Sequence, residues 1–383
     1  MLYSLYETQH AALAPMRFWA DLSQAWLHQP AAEKPRWNIA DARIEVALAK
    51  PFCRLLHFKQ ATPKAHKVLL VPPFAGHHAT LARDTVRALL PEHELWVADW
   101  SDARCVPRAA GPFHLADYVD YVREWIRFLS PNLNVIALGQ AGVPVLAAVA
   151  LMAARRENDV PHTMILAGAP IDARRNPASA ENLAATQPFS WFQRALIHRV
   201  PATYPGYMRR VYPGFLQHVG FMAMPPDRHF VTGWAHCERL LRGDGDSPEA
   251  HRRFYDEFSA VLDLPAEYYL DTVKTVYQDF ALPKGRMFVR EELVIPQAIR
   301  ETALLTIEGE LDDVSGHGET EAAHALCRNI PPERREHFIA TGVGHFGIFS
   351  GRRWRELVFP MVRNFIRRHA QSRPRLLPRL FAV

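Results

Sequence analysis

Three positions stand where a covalent hydrolysis would need its groups: Gly139, Asp312 and His345. An acid that orients an imidazole, and an imidazole that shuttles a proton, are two parts of a nucleophilic triad. Asp312 ends the loop Glu308-Gly-Glu-Leu-Asp, just past a strand-like apolar run. His345 ends Gly342-Val-Gly-His, just past another. Asp313 competes with its neighbour, but Asp312 is the residue that closes the Gly-x-x-Asp loop. The attacking atom must then come from upstream. Asn134-Val-Ile-Ala-Leu-Gly-Gln-Ala-Gly-Val-Pro144 reads as a short buried strand, a tight turn of small residues and a helix with proline in its first turn, where the missing N–H costs little. Such a turn presents a nucleophile at its tip in the frame small-x-nucleophile-x-small. Ala137-Leu-Gly-Gln-Ala141 fits that frame with Gly139 in the nucleophile's place. A glycine has no atom with which to attack.

The order nucleophile, acid, histidine is that of the α/β-hydrolases, and the spacing of elements agrees with such a fold. Apolar positions between about residues 3 and 28, Leu5, Leu13, Trp19 and Trp26 among them, are helical in spacing. Arg43–Ala49 and Arg54–Phe58 read as a leading antiparallel hairpin about the Pro51 turn. Strands follow at 66–72, 94–99, 135–138 and 162–168, alternating with helices at about 80–90, 115–129 and from 143 onward. Strand and helix in alternation indicate βαβ units and a mostly parallel sheet.

The rhythm breaks near residue 170 and resumes at Ala303–Glu308, with a helix at about 318–327, a strand at 336–340 and a last helix at about 352–368. The intervening stretch is rich in Trp, Tyr, Phe, Pro and Met, and is read as a helical cap inserted between sheet strands; a second helical layer is the plainer alternative. The expected architecture is α/β: an α/β-hydrolase fold, a mostly parallel doubly wound sheet with a helical cap. Its core would take 1–170 and 299–370, the cap 171–298, and a basic, apolar tail 371–383.

Composition narrows the function. A hydrophobic content of 49% over 383 residues supports a large core. The net charge of +5 is spread among interleaved signs, so no nucleic-acid stripe is expected. Cys53, Cys105, Cys237 and Cys327 are far apart, which suggests neither disulfides nor a zinc site. No apolar run is long enough to span a bilayer and the first residues do not resemble a signal peptide, so a cytoplasmic location is the expectation.

An oxyanion hole in this fold uses the N–H after the nucleophile, here that of Gln140, and one from the loop after the third strand, here Phe74-Ala75. Gly76 and His77 of that loop, with Trp191 and Phe215 of the cap, are the expected substrate contacts. His77 and His78 lack a third ligand, so no metal is expected, and no cofactor.

The chain resembles the intracellular polyhydroxybutyrate (PHB) depolymerases, which degrade stored polyester granules in bacteria. The residues that carry the resemblance include Met1-Leu-Tyr-Ser-Leu-Tyr-Glu, Gly76-His-His-Ala-Thr-Leu, Val211-Tyr-Pro-Gly-Phe-Leu-Gln, Phe254-Tyr-Asp-Glu, Glu308-Gly-Glu-Leu-Asp-Asp-Val-Ser-Gly and Gly342-Val-Gly-His-Phe-Gly-Ile-Phe-Ser-Gly. In that family a cysteine followed by Gln is the nucleophile, and Asp and His complete the triad. The resemblance places Asp and His at Asp312 and His345, and the cysteine at Gly139, where this chain departs from the pattern. It implies hydrolysis of 3-hydroxybutyrate polymer or oligomers at a granule surface. Glycine at 139 fits either a silenced paralogue or a deliberately inactivated chain. A non-catalytic polyester-binding protein and a polyester-synthase-like acyltransferase are the alternatives. The oligomeric state is open, with a homodimer among the options.

Overall fold

The computed structural model describes residues 34–40, 42–62, 64, 66–217, 257 and 260–369. The helix expected near the start, the tail at 371–383, Cys237 and most of Phe254-Tyr-Asp-Glu lie outside the described residues.

The chain enters through an antiparallel hairpin, β1 (Arg43–Lys50) and β2 (Cys53–Lys59), whose second strand pairs antiparallel with β4 (Glu94–Trp100). β3 (Lys67–Val71), β5 (Leu133–Leu138), β6 (Thr163–Ala167), β12 (Ala303–Gly309) and β13 (Arg335–Ala340) complete an eight-stranded sheet in the order β1-β2-β4-β3-β5-β6-β12-β13. From β4 to β13 all pairings are parallel.

The parallel strands read as unbroken apolar runs because both faces are covered. Val135 and Ala137 point to one face, with Leu69, Val71, Met164 and Leu166, against the Leu115–Leu129 and Gly142–Ala154 helices. Ile136 and Leu138 point to the other, with Val68, Leu70, Ile165 and Ile307, against Arg83–Leu89 and Phe359–His369. This is the period-two alternation of a pleated strand. The Gly142–Ala154 helix is apolar all round and buried as far as Met152, as a helix inside a core must be.

β3 pairs with β4 on one side and β5 on the other, so the strand order reverses there. Ligands of open α/β sheets gather beyond the carboxyl ends of strands at such a reversal.

Between β6 and β12 the chain leaves the sheet. The described part of this excursion, where a helical cap is expected, carries short strands beside its helices. Beside the helices Ser179–Thr186 and Ala266–Thr272 it contains β7 (His198–Arg199), β8 (Arg210–Tyr212) and β9 (Leu264–Pro265) in a small antiparallel sheet, and a hairpin of β10 (Phe288–Val289) and β11 (Glu292–Leu293). Pro201, Pro205 and Pro213 around these segments remove N–H donors that a helix would need. The excursion is tied to the core by Arg209, whose guanidinium donates to the carbonyls of Val106, Pro107 and Gly111 at 3.0, 2.6 and 2.7 Å. The Leu262 N–H also donates to the Gly76 carbonyl at 2.9 Å. No helix among the described residues is long and apolar enough to cross a membrane.

Candidate active site

Gly139 is the first residue after β5 and has φ +53°, the left-handed region that L side chains rarely adopt. A three-residue helical turn, Gly139–Ala141, joins it to the Gly142–Ala154 helix. A Cβ built on Gly139 would lie 3.7 Å from Cγ of Pro73 and 3.9 Å from Nε2 of His345, both ordinary contacts. The tip of the turn has room for a side chain, and that side chain would face the imidazole.

His345 lies just beyond β13 and Asp312 just beyond β12, so the parallel strands carry both to the edge where β5 ends. Nδ1 of His345 is 2.8 Å from Oδ2 of Asp312, and both side chains are buried. The other carboxylate oxygen of Asp312 accepts the N–H groups of Val314 and Ser315, each at 2.9 Å. Those bonds fix the acid before it meets the ring. Asp313 acts on His345 only through its charge. Burial pushes the pKa of His345 down, but the charge and hydrogen bond of Asp312, aided by Asp313 and Glu181, outweigh it and leave the pKa above the ordinary 6.5.

These residues open on a cleft of about 760 Å³, open solvent included, which Gly139, Gln140, Ala75, His77 and His345 help to line. The described residues that line the cleft include Ala75, His77 and Gln140 but not Phe74, Gly76, Trp191 or Phe215. The ring of Phe74 is fully buried and stacks on Trp100 at 4.6 Å and Tyr268 at 5.3 Å, so only its backbone could serve a substrate. Gly76, at φ +87°, turns the loop and offers its carbonyl to Leu262. Trp191 is half-exposed and packs edge-on against Phe192 at 5.0 Å, and Phe215 is half-buried.

Among the cleft residues that the sequence reading did not single out are Gly168, Glu181, Ser315 and Tyr277. Gly168 follows β6 with φ +59°, and its missing Cβ leaves space for the His345 ring. A glycine directly after a predicted strand was the available signal. Tyr277 accepts a hydrogen bond at 3.0 Å from the side-chain amide of Gln140, and burial holds its hydroxyl well above its usual pKa. Nothing in the sequence pairs residues so far apart.

Among the described residues no three His, Cys, Asp or Glu side chains are grouped to hold a metal ion. Cys53 and Cys327 are buried and Cys105 is exposed; none of the three lines the cleft. Burial raises the Cys327 thiol to about 12, far from a reactive thiolate.

The family model of the PHB de-polymerase C-terminus matches residues 168–370, more than half of the chain, and takes in Gly168, Asp312 and His345. The chain belongs to that family. Membership places it among the carboxylic ester hydrolases by lineage. No match is found among curated proteins. A putative aryl esterase from Burkholderia cenocepacia is similar in structure, at TM-score 0.51 and 13% identity, over 86% of this chain and 100% of that one. The Paleococcus ferrophilus monoacylglycerol lipase is similar at TM-score 0.50 and 12% identity, over 83% and 99% of the two chains. A putative lipase from Acinetobacter baumannii AYE gives TM-score 0.50 at 10% identity, over 87% and 94%. At such identities the likeness is one of fold, and the fold is that of the α/β-hydrolases.

Proposed function

We propose that this chain is an ester hydrolase of the polyhydroxyalkanoate-degrading kind, built for a cysteine at position 139 and carrying glycine there. The observation that supports it is the alignment of Asp312, His345 and the empty Cβ direction of Gly139, at 2.8 and 3.9 Å. With a thiol at 139, Nε2 of His345 would take its proton and the thiolate would attack the ester carbonyl. The N–H groups of Gln140 and Ala75 are placed in sequence to hold the developing oxyanion. Collapse of the tetrahedral species would expel the alcohol with the proton from His345. Water, deprotonated by the same imidazole, would then release the 3-hydroxy acid from the thioester.

Without a side chain at 139 no acyl intermediate can form. His345 can then act only on water, and loss of a triad member leaves roughly 10³–10⁴-fold catalysis over the uncatalysed reaction. As it stands, the chain binds 3-hydroxybutyrate oligomers or polymer far better than it cleaves them, and its setting is the granule surface in the cytoplasm. Gly139→Cys should gain esterase activity on short hydroxybutyrate oligomers, with a thioester trapped in the first turnover. A folded Gly139→Cys protein that forms no thioester and cleaves nothing would refute the assignment.

A further inference from the structure

Glu181, on the Ser179–Thr186 helix of the excursion, is buried yet lines the cleft beside Gly139, Gln140, Tyr277 and His345. One of its oxygens accepts the Ala178 N–H at 2.8 Å. Its carboxyl is also hydrogen-bonded to that of Glu319, which is wholly buried. Glu319 in turn accepts the Gly316 N–H at 2.9 Å and the Ser315 hydroxyl at 3.4 Å. Two carboxyl groups bonded to each other must share a proton, because like charges at that range cannot both ionise. Among the groups that act on Glu181, the charge of Asp312 raises its pKa, while the hydrogen bond with Glu319 and the positive form of His345 lower it. Tyr277, which lines the same cleft, has a hydroxyl that burial and the charge of Glu181 keep protonated.

A polyester of hydroxy acids has ester oxygens along its length, a neutral hydroxyl at one end and a carboxylate at the other. A carboxyl group in a buried acidic corner treats those ends differently. It can accept from a hydroxyl, and it repels a carboxylate in surroundings where charge is poorly screened. We propose that Glu181, held in place by Glu319, is a specificity-determining residue of this cleft, receiving the hydroxyl end of the acyl chain and excluding a carboxylate end. This deepens the polyester reading of the site and rests on it for the class of substrate.

The protonation of the pair supplies a second signature. Burial is the main cause that raises both acids, Glu181 to about 7 and Glu319 to about 10, with each other's charge and that of Asp312 adding to it for Glu319. Glu181 therefore gains its charge at a higher pH than an ordinary carboxyl, and discrimination against a carboxylate should sharpen as pH rises, helped by the loss of positive charge from His345.

Binding to the protein with Gly139 in place tests this without catalysis. The probes are the methyl ester of a 3-hydroxybutyrate trimer with a free hydroxyl end, and the same trimer methyl ester with that hydroxyl succinylated. Calorimetry at pH 8 should show the hydroxyl-ended probe binding at least tenfold more tightly, with the ratio smaller at pH 6. Glu181→Gln, which keeps shape and removes charge, should bring the ratio at pH 8 below threefold and leave only the smaller change with pH that His345 causes. Equal binding of both probes, no binding of either, or an unchanged ratio in Glu181→Gln would overturn the proposal. Should Glu181→Gln fail to fold, Glu181→Ala decides, and a ratio at pH 8 unchanged from that of the unsubstituted protein would overturn the proposal. A Gly139→Cys protein that is inert while the ratio holds would refute the catalytic reading and leave this one standing.

Discussion

The Cβ that Gly168 lacks would stand 2.9 Å from Cε1 of His345 and 3.2 Å from its Nδ1. Gly168→Ala must therefore push the imidazole off the Asp312 carboxylate or move the strand end that carries it. The backbone opposes the change as well, since residue 168 has φ +59°. A non-glycine residue held there costs about 1–3 kcal/mol. We expect a lower urea midpoint and a shifted His345 ring resonance. A variant with an unaltered midpoint and spectrum would show that the ring does not need this space.

The pH response of His345 follows from its partner. Its folded pKa lies above the ordinary 6.5, so protonated His345 contributes stability that is fully present below about 6.5 and is lost as pH rises through the folded value. Asp312→Asn removes the strongest group opposing burial, and the pKa of His345 should fall. Proton NMR titration of the ring in both proteins measures this directly. A pKa that does not drop in the Asn variant would mean the acid is not what holds the charge.

The parts of this site readable from sequence are those set by local chemistry. Gly139, Asp312 and His345 each sit at the end of an apolar strand, and a strand followed by small residues is a signal a few residues long. Glu181, Glu319 and Tyr277 meet only because the excursion folds back on the sheet, and no local pattern records that. Aromatic richness, as around Trp191 and Phe215, reports that a segment packs, not which surface it faces. The small sheet of β7, β8 and β9 was missed for a related reason. Strands of two or three residues are too short to show a period of two.

Gln140 and Tyr277 make a second test, one that concerns the turn itself. The Gln140 amide donates to the Tyr277 hydroxyl at 3.0 Å, binding the residue after Gly139 to the excursion. Tyr277→Phe removes the acceptor and leaves a part-buried amide without it, which costs about 1–3 kcal/mol. In the Gly139→Cys background the same change should lower kcat more than it raises KM, because the Gln140 N–H is expected to meet the oxyanion only in the transition state. Equal effects on kcat and kcat/KM, beside that loss of stability, would fit the role; a pure KM effect would place Tyr277 in ground-state binding instead.

Gly139 and Gly142 are glycines for different reasons, and their alanine variants should separate those reasons. At Gly139 a Cβ meets nothing closer than 3.7 Å, so only the backbone conformation at φ +53° resists it. A left-handed residue with a side chain costs about 1–2 kcal/mol. At Gly142 the backbone is helical, but a Cβ would lie 2.3 Å from Cβ of Ala169. Ala169 cannot easily retreat, because the Thr320 hydroxyl bonds both its N–H, at 2.7 Å, and its carbonyl, at 3.0 Å. Overpacking of a close-packed core costs about 1–3 kcal/mol and sometimes more. Gly142→Ala should therefore lower the urea midpoint further than Gly139→Ala, although alanine is ordinarily the better helix former. The opposite order would mean that the Gly142–Ala154 helix can slide away from the loop after β6. Gly139→Cys carries the same backbone strain as Gly139→Ala, so a protein given a thiol there should also melt earlier than the chain with glycine.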